Sequence, residues 1–308
     1  MKVAIAGAGD VAKYQTEELL KKSIDVVVLS RSDKEWFHGK KGVELRIVDY
    51  NSVESLTEAL KDCDGLVSMI LDYSMYFATL HLNLIEAMLK TEKCRRFIPS
   101  EYGADLVKYP DQPKFYYPNH NPVREKLRSL NGQIEFALIC CGWLNDYFIP
   151  SKNRYIKDLD DGFPTNLQTR TAVIPGTGDE GVAFISARDL TKCITNLFKT
   201  TEPWEEFIYV AGETTTWNTV AKTYYPGLDF KITYLSVSEL VQMIVDGTQE
   251  KDDLKVINAE YQLVSPTNSL LLPADKLAEH RAKYFSDIHF RTNLEMIKIA
   301  NESPDLIV

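Results

Sequence analysis

Six residues near the start of the chain have the types and spacing of a phosphate cradle: Gly7-Ala-Gly9-Asp10-Val11-Ala12. Gly7 permits a sharp turn, Gly9 lets the backbone approach a pyrophosphate, and Ala12 lets the next helix pack against the preceding strand. The unpaired N–H groups at the helix start then face the anion. About 20 residues past the glycines, where an NAD site carries an acid, stands Ser30-Arg31, with Lys34 nearby. A carboxylate there repels a 2′-phosphate, whereas the planar guanidinium of Arg31 pairs with one. The cofactor expected on these grounds is NADP(H).

Elements must hold these residues in place. Met1-Lys-Val-Ala-Ile-Ala6 reads as a strand, Lys13 to Lys22 as a helix and Asp25-Val-Val-Val-Leu29 as a second strand. Val43 to Val48 alternates as a third strand and runs into Asp49-Tyr50, with Asn51 expected to cap the helix that follows. Gly65 to Ile70 is the fourth strand, which brings Met69 and Ile70 to the cofactor. Tyr73 to Lys90 is a helix with His81 beside its apolar stripe, where packing is its expected role. Arg95 to Gly103 is a fifth strand entering a loop, and Ile134 to Cys141 a sixth. Thr171 to Pro175 and Val182 to Ile185 read as a hairpin, followed by a helix capped by Ser186 or by Asp189 in its first turn.

Strands alternating with helices imply an α/β fold with a parallel sheet. Ligands of such sheets lie outside the carboxyl ends of the strands. Pro99, Ser100 and Gly142 are therefore expected at the cofactor, and Glu101 and Tyr102 toward the substrate, with loop anchoring the alternative for Glu101. Trp143 and Phe148 offer an apolar wall suited to an aromatic or polycyclic substrate, interdomain core being the alternative. The stretch from Tyr261 to Pro273 is placed within reach of the cleft.

The rest of the chain narrows the class. Its 308 residues carry a net charge of −9, which argues against nucleic acid as a partner. No apolar run reaches the length of a membrane span, and the first strand starts at Met1, so neither a membrane partner nor a leader peptide is expected. Cys63, Cys94, Cys140, Cys141 and Cys193 have no metal-ligand spacing, and no metal is expected. Reduced, buried thiols suit a cytoplasmic protein.

Arg96-Phe-Ile-Pro-Ser-Glu-Tyr-Gly103 resembles the RFIPSEFG signature of NmrA-like proteins. These are atypical short-chain dehydrogenases that include isoflavone reductases and phenylcoumaran benzylic ether reductases. The resemblance takes in His81 to Ala87, Cys140 to Phe148, Gly176-Thr-Gly178 and Ser186 to Leu190. It implies a Rossmann-type doubly wound sheet over residues 1–150, with 171–200 partly returning to it. A smaller α+β substrate domain over 151–308 and a cleft between the two are also implied.

One departure concerns the chemistry. Reductases of the family carry a lysine that supports the reacting oxygen, and matching the helix on Val123, Arg124 and Leu127 puts His120 in its place. Imidazole can give and take a proton near neutrality, so acid–base work remains open to it, and Tyr116 lies four residues before it. A helix cap is the competing role for His120. The catalytic candidates are thus His120, Tyr116, Tyr102 and Glu101. The expected activity is NADP(H)-dependent hydride transfer in secondary metabolism, on an aromatic or alkaloid-like small molecule, by a monomer or homodimer. An NADP(H)-bound cyclase coupling hydride transfer to ring closure, or a redox-sensing regulator of the NmrA type, are the alternatives.

Overall fold

Successive side chains of a strand point to opposite faces, and the first strand, β1 (Lys2–Ala6), shows what that does here. Val3 and Ile5 enter one apolar cluster, whereas Ala4 and Ala6 enter another on the opposite side of the sheet. Both faces are therefore covered. The computed structural model describes residues 1–159, 162–225 and 229–308.

The chain continues through β2 (Asp25–Ser30), β3 (Val43–Ile47), β4 (Gly65–Ser68), β5 (Arg96–Ile98), β6 (Tyr102–Gly103) and β7 (Glu135–Phe136). The central sheet has the order β3-β2-β1-β4-β5-β7, and its pairings are parallel. Chain direction across the sheet reverses between β1 and β4, the point at which doubly wound sheets open a crevice. Helices α1 (Asp10–Lys21), α2 (Val53–Leu60), α3 (Tyr76–Lys90), α4 (Tyr117–Ser129) and α5 (Ala187–Lys199) flank it. Leu19 of α1 joins Leu190, Ile194 and Leu197 of α5 on one face. Leu56, Leu84, Met88, Val123 and Leu127 of α2, α3 and α4 cover the other. Gln15 locks α1 to α5 through a 2.9 Å bond to Thr195. The N-cap of α2 is Ser52, which accepts from Ser55 N–H, and not Asn51. Asn51 N–H instead bonds the Asp49 carboxylate in the turn before it.

The expected sixth strand divides. Its first half, β7, completes the central sheet, while β8 (Leu138–Cys140) turns away to lie between β6 and a later strand, Phe207–Tyr209. Gly142 then carries the chain into β9 (Trp143–Leu144). With φ at +71° and the Ala183 carbonyl oxygen 2.1 Å from where a Cβ would sit, the position excludes every other residue. Gly142→Ala is expected to cost about 3–5 kcal/mol, from overpacking and a left-handed backbone together. A matching fall in urea midpoint at unchanged slope is the check.

The segment read as a hairpin is not one. After β10 (Thr165–Asn166), β11 (Thr171–Pro175) pairs with β10 and, in parallel, with Lys231–Leu235. Strand β12 (Val182–Ile185) pairs instead with β9 and with Glu213–Thr215. Each strand finds a better-placed partner than its neighbour in sequence. Of the two expected caps of α5 it is Ser186 that forms, accepting from Asp189 N–H at 2.9 Å. Later helices are α6 (Trp217–Thr223), α7 (Val237–Glu250), α8 (Asp253–Leu263), α9 (Ala274–Tyr284) and α10 (Asn293–Glu302). Phe115 N–H donates to Glu260 at 2.7 Å, which fastens α8 over the approach to α4. No helix among the described residues is long and apolar enough to cross a membrane.

Candidate functional site

A cleft of about 670 Å³ runs from the carboxyl ends of β1, β2 and β4 to the contact between α8 and the turn before α4. At its first end lies the glycine turn. Gly7 has φ +93°, and a Cβ there would meet Ile70 at 2.9 Å and the Met69 carbonyl at 3.2 Å. The Tyr50 hydroxyl accepts from Gly7 N–H at 2.9 Å and donates to the Leu29 carbonyl at 3.0 Å, pinning the turn to β2. A Cβ on Gly9 would meet nothing within 4 Å, so the cleft is open to a ligand there. Gly9 is also the N-cap of α1, with no side chain capping the first-turn N–H groups. An open cradle, free amide donors and a helix N-terminus fit the pyrophosphate of a dinucleotide. Asp10 and Val11 line the same end, the Asp10 carboxylate held by Lys13 at 3.2 Å.

Arg31 and Lys34 stand at the rim beside Ser30 and Ser32. Both are exposed, and neither enters an ion pair among the described residues. Met69, Ile70 and Ser100 continue the wall, and Gly142 closes it next to Trp143. Two expected cofactor residues lie behind the wall. Ala12 is fully buried in the core between α1 and the sheet, a packing position. Pro99 is buried too, its carbonyl accepting from Glu101 N–H at 2.8 Å to shape the loop.

The catalytic candidates separate by what already holds them. Glu101 is clamped by Arg124, which donates from Nε at 2.7 Å and Nη2 at 2.8 Å, both side chains almost fully buried. It anchors the loop and is not a free acid. The Tyr102 hydroxyl donates to the Ser68 carbonyl at 2.9 Å, away from a substrate, and burial pushes its pKa well up. Phe148, expected on the substrate wall, is buried in an apolar cluster apart from the central sheet, with Phe163, Phe184 and Trp217. Trp143 does line the cleft, and its buried indole N–H has no hydrogen-bond partner among the described residues.

His120 and Tyr116 both reach the cleft, with ring centroids 4.4 Å apart. His120 stacks on Phe77 at 3.7 Å, and its Nδ1 lies 2.6 Å from the Asn119 side-chain oxygen. Asn119 donates from Nδ2 to the Ser74 carbonyl at 3.1 Å, which turns its oxygen toward the ring. Nδ1 therefore carries the proton and Nε2 the lone pair. Burial lowers the pKa of His120, with the Glu101 charge pulling the other way, so the neutral ring is favoured. The Tyr116 hydroxyl contacts that of Tyr261 on α8 at 2.5 Å. Tyr73, Phe115 and Tyr261 enlarge this aromatic group, Phe115 lying 4.4 Å from Tyr116 and 4.9 Å from Tyr261. Tyr73 was readable only as the start of a helix, and nothing local in the sequence signals that residue 73 meets residue 261.

His81 is structural. Its Nδ1 donates to the Phe77 carbonyl and Nε2 accepts from the Ser68 hydroxyl, both at 2.9 Å, while burial drives its pKa down to about 3. The unfolded imidazole titrates near 6.5, so this contribution to stability is complete above that pH. It is lost as pH falls toward 3, by about 2 kcal/mol at pH 5. Asp146, pushed up to about 6 by burial, acts with the opposite sign. His81→Gln is therefore expected to be less stable than wild type at pH 7.5, with the gap closing by pH 5. Urea titrations of both proteins at the two pH values measure it, since Asp146 cancels in the difference.

Glu205, Glu279 and His280 bring ligand atoms together, but Tyr209 N–H donates to His280 Nδ1 at 2.8 Å and places the ring proton on Nε2. That nitrogen faces Glu205 at 3.2 Å as a donor, and Lys283 pairs with the same glutamate. The group is an ion-pair network and a poor metal site. The cysteines are free and buried.

The comparisons with known proteins agree with this architecture. The chain is 41% identical to an oxidoreductase, swnR, of Arthroderma benhamiae and 40% identical to swnR of Metarhizium robertsii, in each case over 313 residues covering the whole of both proteins. Its fold is similar to that of leucoanthocyanidin reductase from Vitis vinifera in a binary complex with NADPH. The TM-score is 0.74 at 18% identity, over 96% of this chain and 97% of that one. It is also similar to AtPrR2 with NADP+ and (+)pinoresinol, at a TM-score of 0.72 and 17% identity over 97% and 98% of the two chains. The NmrA-like family model matches residues 1–269, and the chain belongs to the NmrA-like family.

Proposed function

We propose that the protein is an NADP(H)-dependent oxidoreductase acting on an aromatic or alkaloid-like small molecule. The observation that carries the reading is the pair of unpaired cations, Arg31 and Lys34, at the rim of the cleft that holds the Gly7–Gly9 turn. No acid among the described residues pairs with them, whereas a 2′-phosphate would. The pyrophosphate would rest on the Gly9 to Val11 amides at the start of α1. When bound, the nicotinamide supplies or accepts a hydride. Ser100 and Gly142 would flank it, and the Tyr73, Tyr116, Trp143 and Tyr261 side chains would enclose the substrate. Flat aromatic walls orient a planar substrate and exclude water. The unpartnered Trp143 N–H is a donor in reserve for a substrate acceptor. The oxidoreductase relatives at 41% and 40% identity, and the NADPH complexes among the structural neighbours, support the reading.

Calorimetric titration with NADPH and NADH, followed by NADPH consumption on aromatic enones, imines and benzylic ethers, tests it. Preferred binding of NADPH and its oxidation by one of these classes is the expected result. No binding of either dinucleotide overturns the reading. Product isomerisation without net consumption would transfer the assignment to ring closure, and tight binding without turnover to redox sensing.

A further inference from the structure

A hydride delivered to a carbon–heteroatom or conjugated double bond leaves an atom that needs a proton, and the usual candidates here are engaged. Glu101 is bound to Arg124, and Tyr102 to a backbone carbonyl. The neutral tautomer of His120 gives its single N–H to Asn119. Three tyrosine hydroxyls at the cleft are in contact with one another. Tyr116 Oη lies 2.5 Å from Tyr261 Oη, which donates to Tyr73 Oη at 3.3 Å, and the three side chains line the cleft. They come from three parts of the chain: the loop before α3, the turn before α4, and α8. The Glu260 bond to Phe115 N–H holds the last two together. Tyr73 is half-buried among the exposed residues Leu71, Ser74 and Met75, where water reaches it.

Each hydroxyl can donate and accept at once. Resting on the hydride-transfer reading above, we propose that Tyr73, Tyr261 and Tyr116 form a proton relay in which Tyr116 is the catalytic acid. The electron pair arrives at carbon with the hydride, and the double-bond pair moves onto the adjoining heteroatom or carbon. That atom takes the Tyr116 proton, the Tyr261 hydroxyl turns from Tyr73 and gives its proton to the Tyr116 oxygen, and Tyr73 in turn gives its own to Tyr261. Tyr73 recovers one from water. The substrate gains a hydride and a proton, and the tyrosines end as they began. Burial holds the Tyr116 and Tyr261 hydroxyls protonated at neutral pH, as a donor requires. No lysine or arginine among the described residues acidifies the pair, so the relay suits a strongly basic acceptor atom, such as a nascent alkoxide. His120 is then a positioning residue, holding the Tyr116 ring edge between Phe77 and the cleft.

Three phenylalanine variants test the relay. Tyr116→Phe is expected to lower kcat about a hundredfold or more, with the NADPH dissociation constant unchanged within about twofold. Tyr261→Phe is expected to lower kcat less, and to turn a curved proton inventory in mixed light and heavy water into a linear one. Tyr73→Phe tests the entry from solvent by the same measurement. A readout independent of cofactor comes from fluorine NMR of fluorotyrosine-labelled protein, in which Tyr261→Phe should move the resonances of both Tyr116 and Tyr73. Wild-type kcat and an unaltered inventory in Tyr116→Phe that still binds NADPH overturn the relay, as do unmoved resonances. Failure of the wild type to bind or oxidise NADPH overturns the functional reading instead, and leaves the hydroxyl contacts to be judged by NMR.

Discussion

Arg31→Ala is expected to weaken NADPH binding by about 1.5–3 kcal/mol, the worth of a hydrogen bond to a charged group, while NADH binding barely changes. In dissociation constants that is roughly ten- to 150-fold. The expectation follows from what surrounds the guanidinium. Arg31 is exposed at the cleft rim and free of any ion pair among the described residues, so its substitution disturbs no internal bond. The acid nearest in sequence, Asp33, is occupied by His38 at 2.7 Å and does not face the cleft as a ribose ligand would. Lys34→Ala should show the same selectivity at smaller amplitude, since an ammonium cannot make the bidentate contact. Calorimetry with the two dinucleotides decides it: equal losses would mean that the 2′-phosphate is bound elsewhere. Raising the salt concentration should narrow the difference between NADPH and NADH, because the rim is open to solvent.

A large effect on stability is also expected at Arg124. The residue is 3% exposed, and its guanidinium makes two bonds to Glu101 and one, at 2.6 Å, to the Pro110 carbonyl. Arg124→Met removes all three and leaves a carboxylate buried without a counter-charge, at a cost of about 3–5 kcal/mol. Glu101→Leu with Arg124→Met removes both charges and should recover a good part of that loss, because breaking a buried pair costs more than replacing it. Denaturant unfolding of the single and double variants measures the recovery. A single variant as stable as wild type would mean that the pair is not formed. The same pair fixes the loop carrying Ser100 and Tyr102, so the single variant should also bind NADPH more weakly, whereas Arg31→Ala should leave the unfolding midpoint unchanged.

These two sites differ in how far they could be seen in advance. The cradle is legible because its requirements are local. A positive φ at Gly7, an open approach at Gly9 and a small residue at Ala12 are each met by residue type within six positions of one another. Arg31 follows from counting along one strand–helix–strand unit. The Glu101–Arg124 pair joins residues 23 apart, and neither side chain's partner can be inferred from its own neighbourhood. The same holds for Tyr102, whose place after Ser100 suggested a substrate contact but whose hydroxyl closes onto β4.

Strand partners divide along the same line. Residues 171–185 contain two good strands around a glycine turn, the local signature of a hairpin, yet β11 pairs with a strand some 60 residues later and β12 with β9 and β14 (Glu213–Thr215). Phe148 has the composition of a cleft wall and the position of a core residue.

By itself the sequence determined the parallel α/β architecture, the glycine turn and the cation after the second strand, since periodicity, backbone freedom and charge are properties of single residues and short spacings. Tertiary structure alone decided which polar groups were left free. A hydroxyl or carboxylate is available for chemistry only when no other part of the chain has claimed it, and that claim is made across distances a local pattern does not encode. Glu101 was claimed and, among the described residues, Arg31 entered no ion pair, while Tyr73, Tyr116 and Tyr261 were brought within reach of one another.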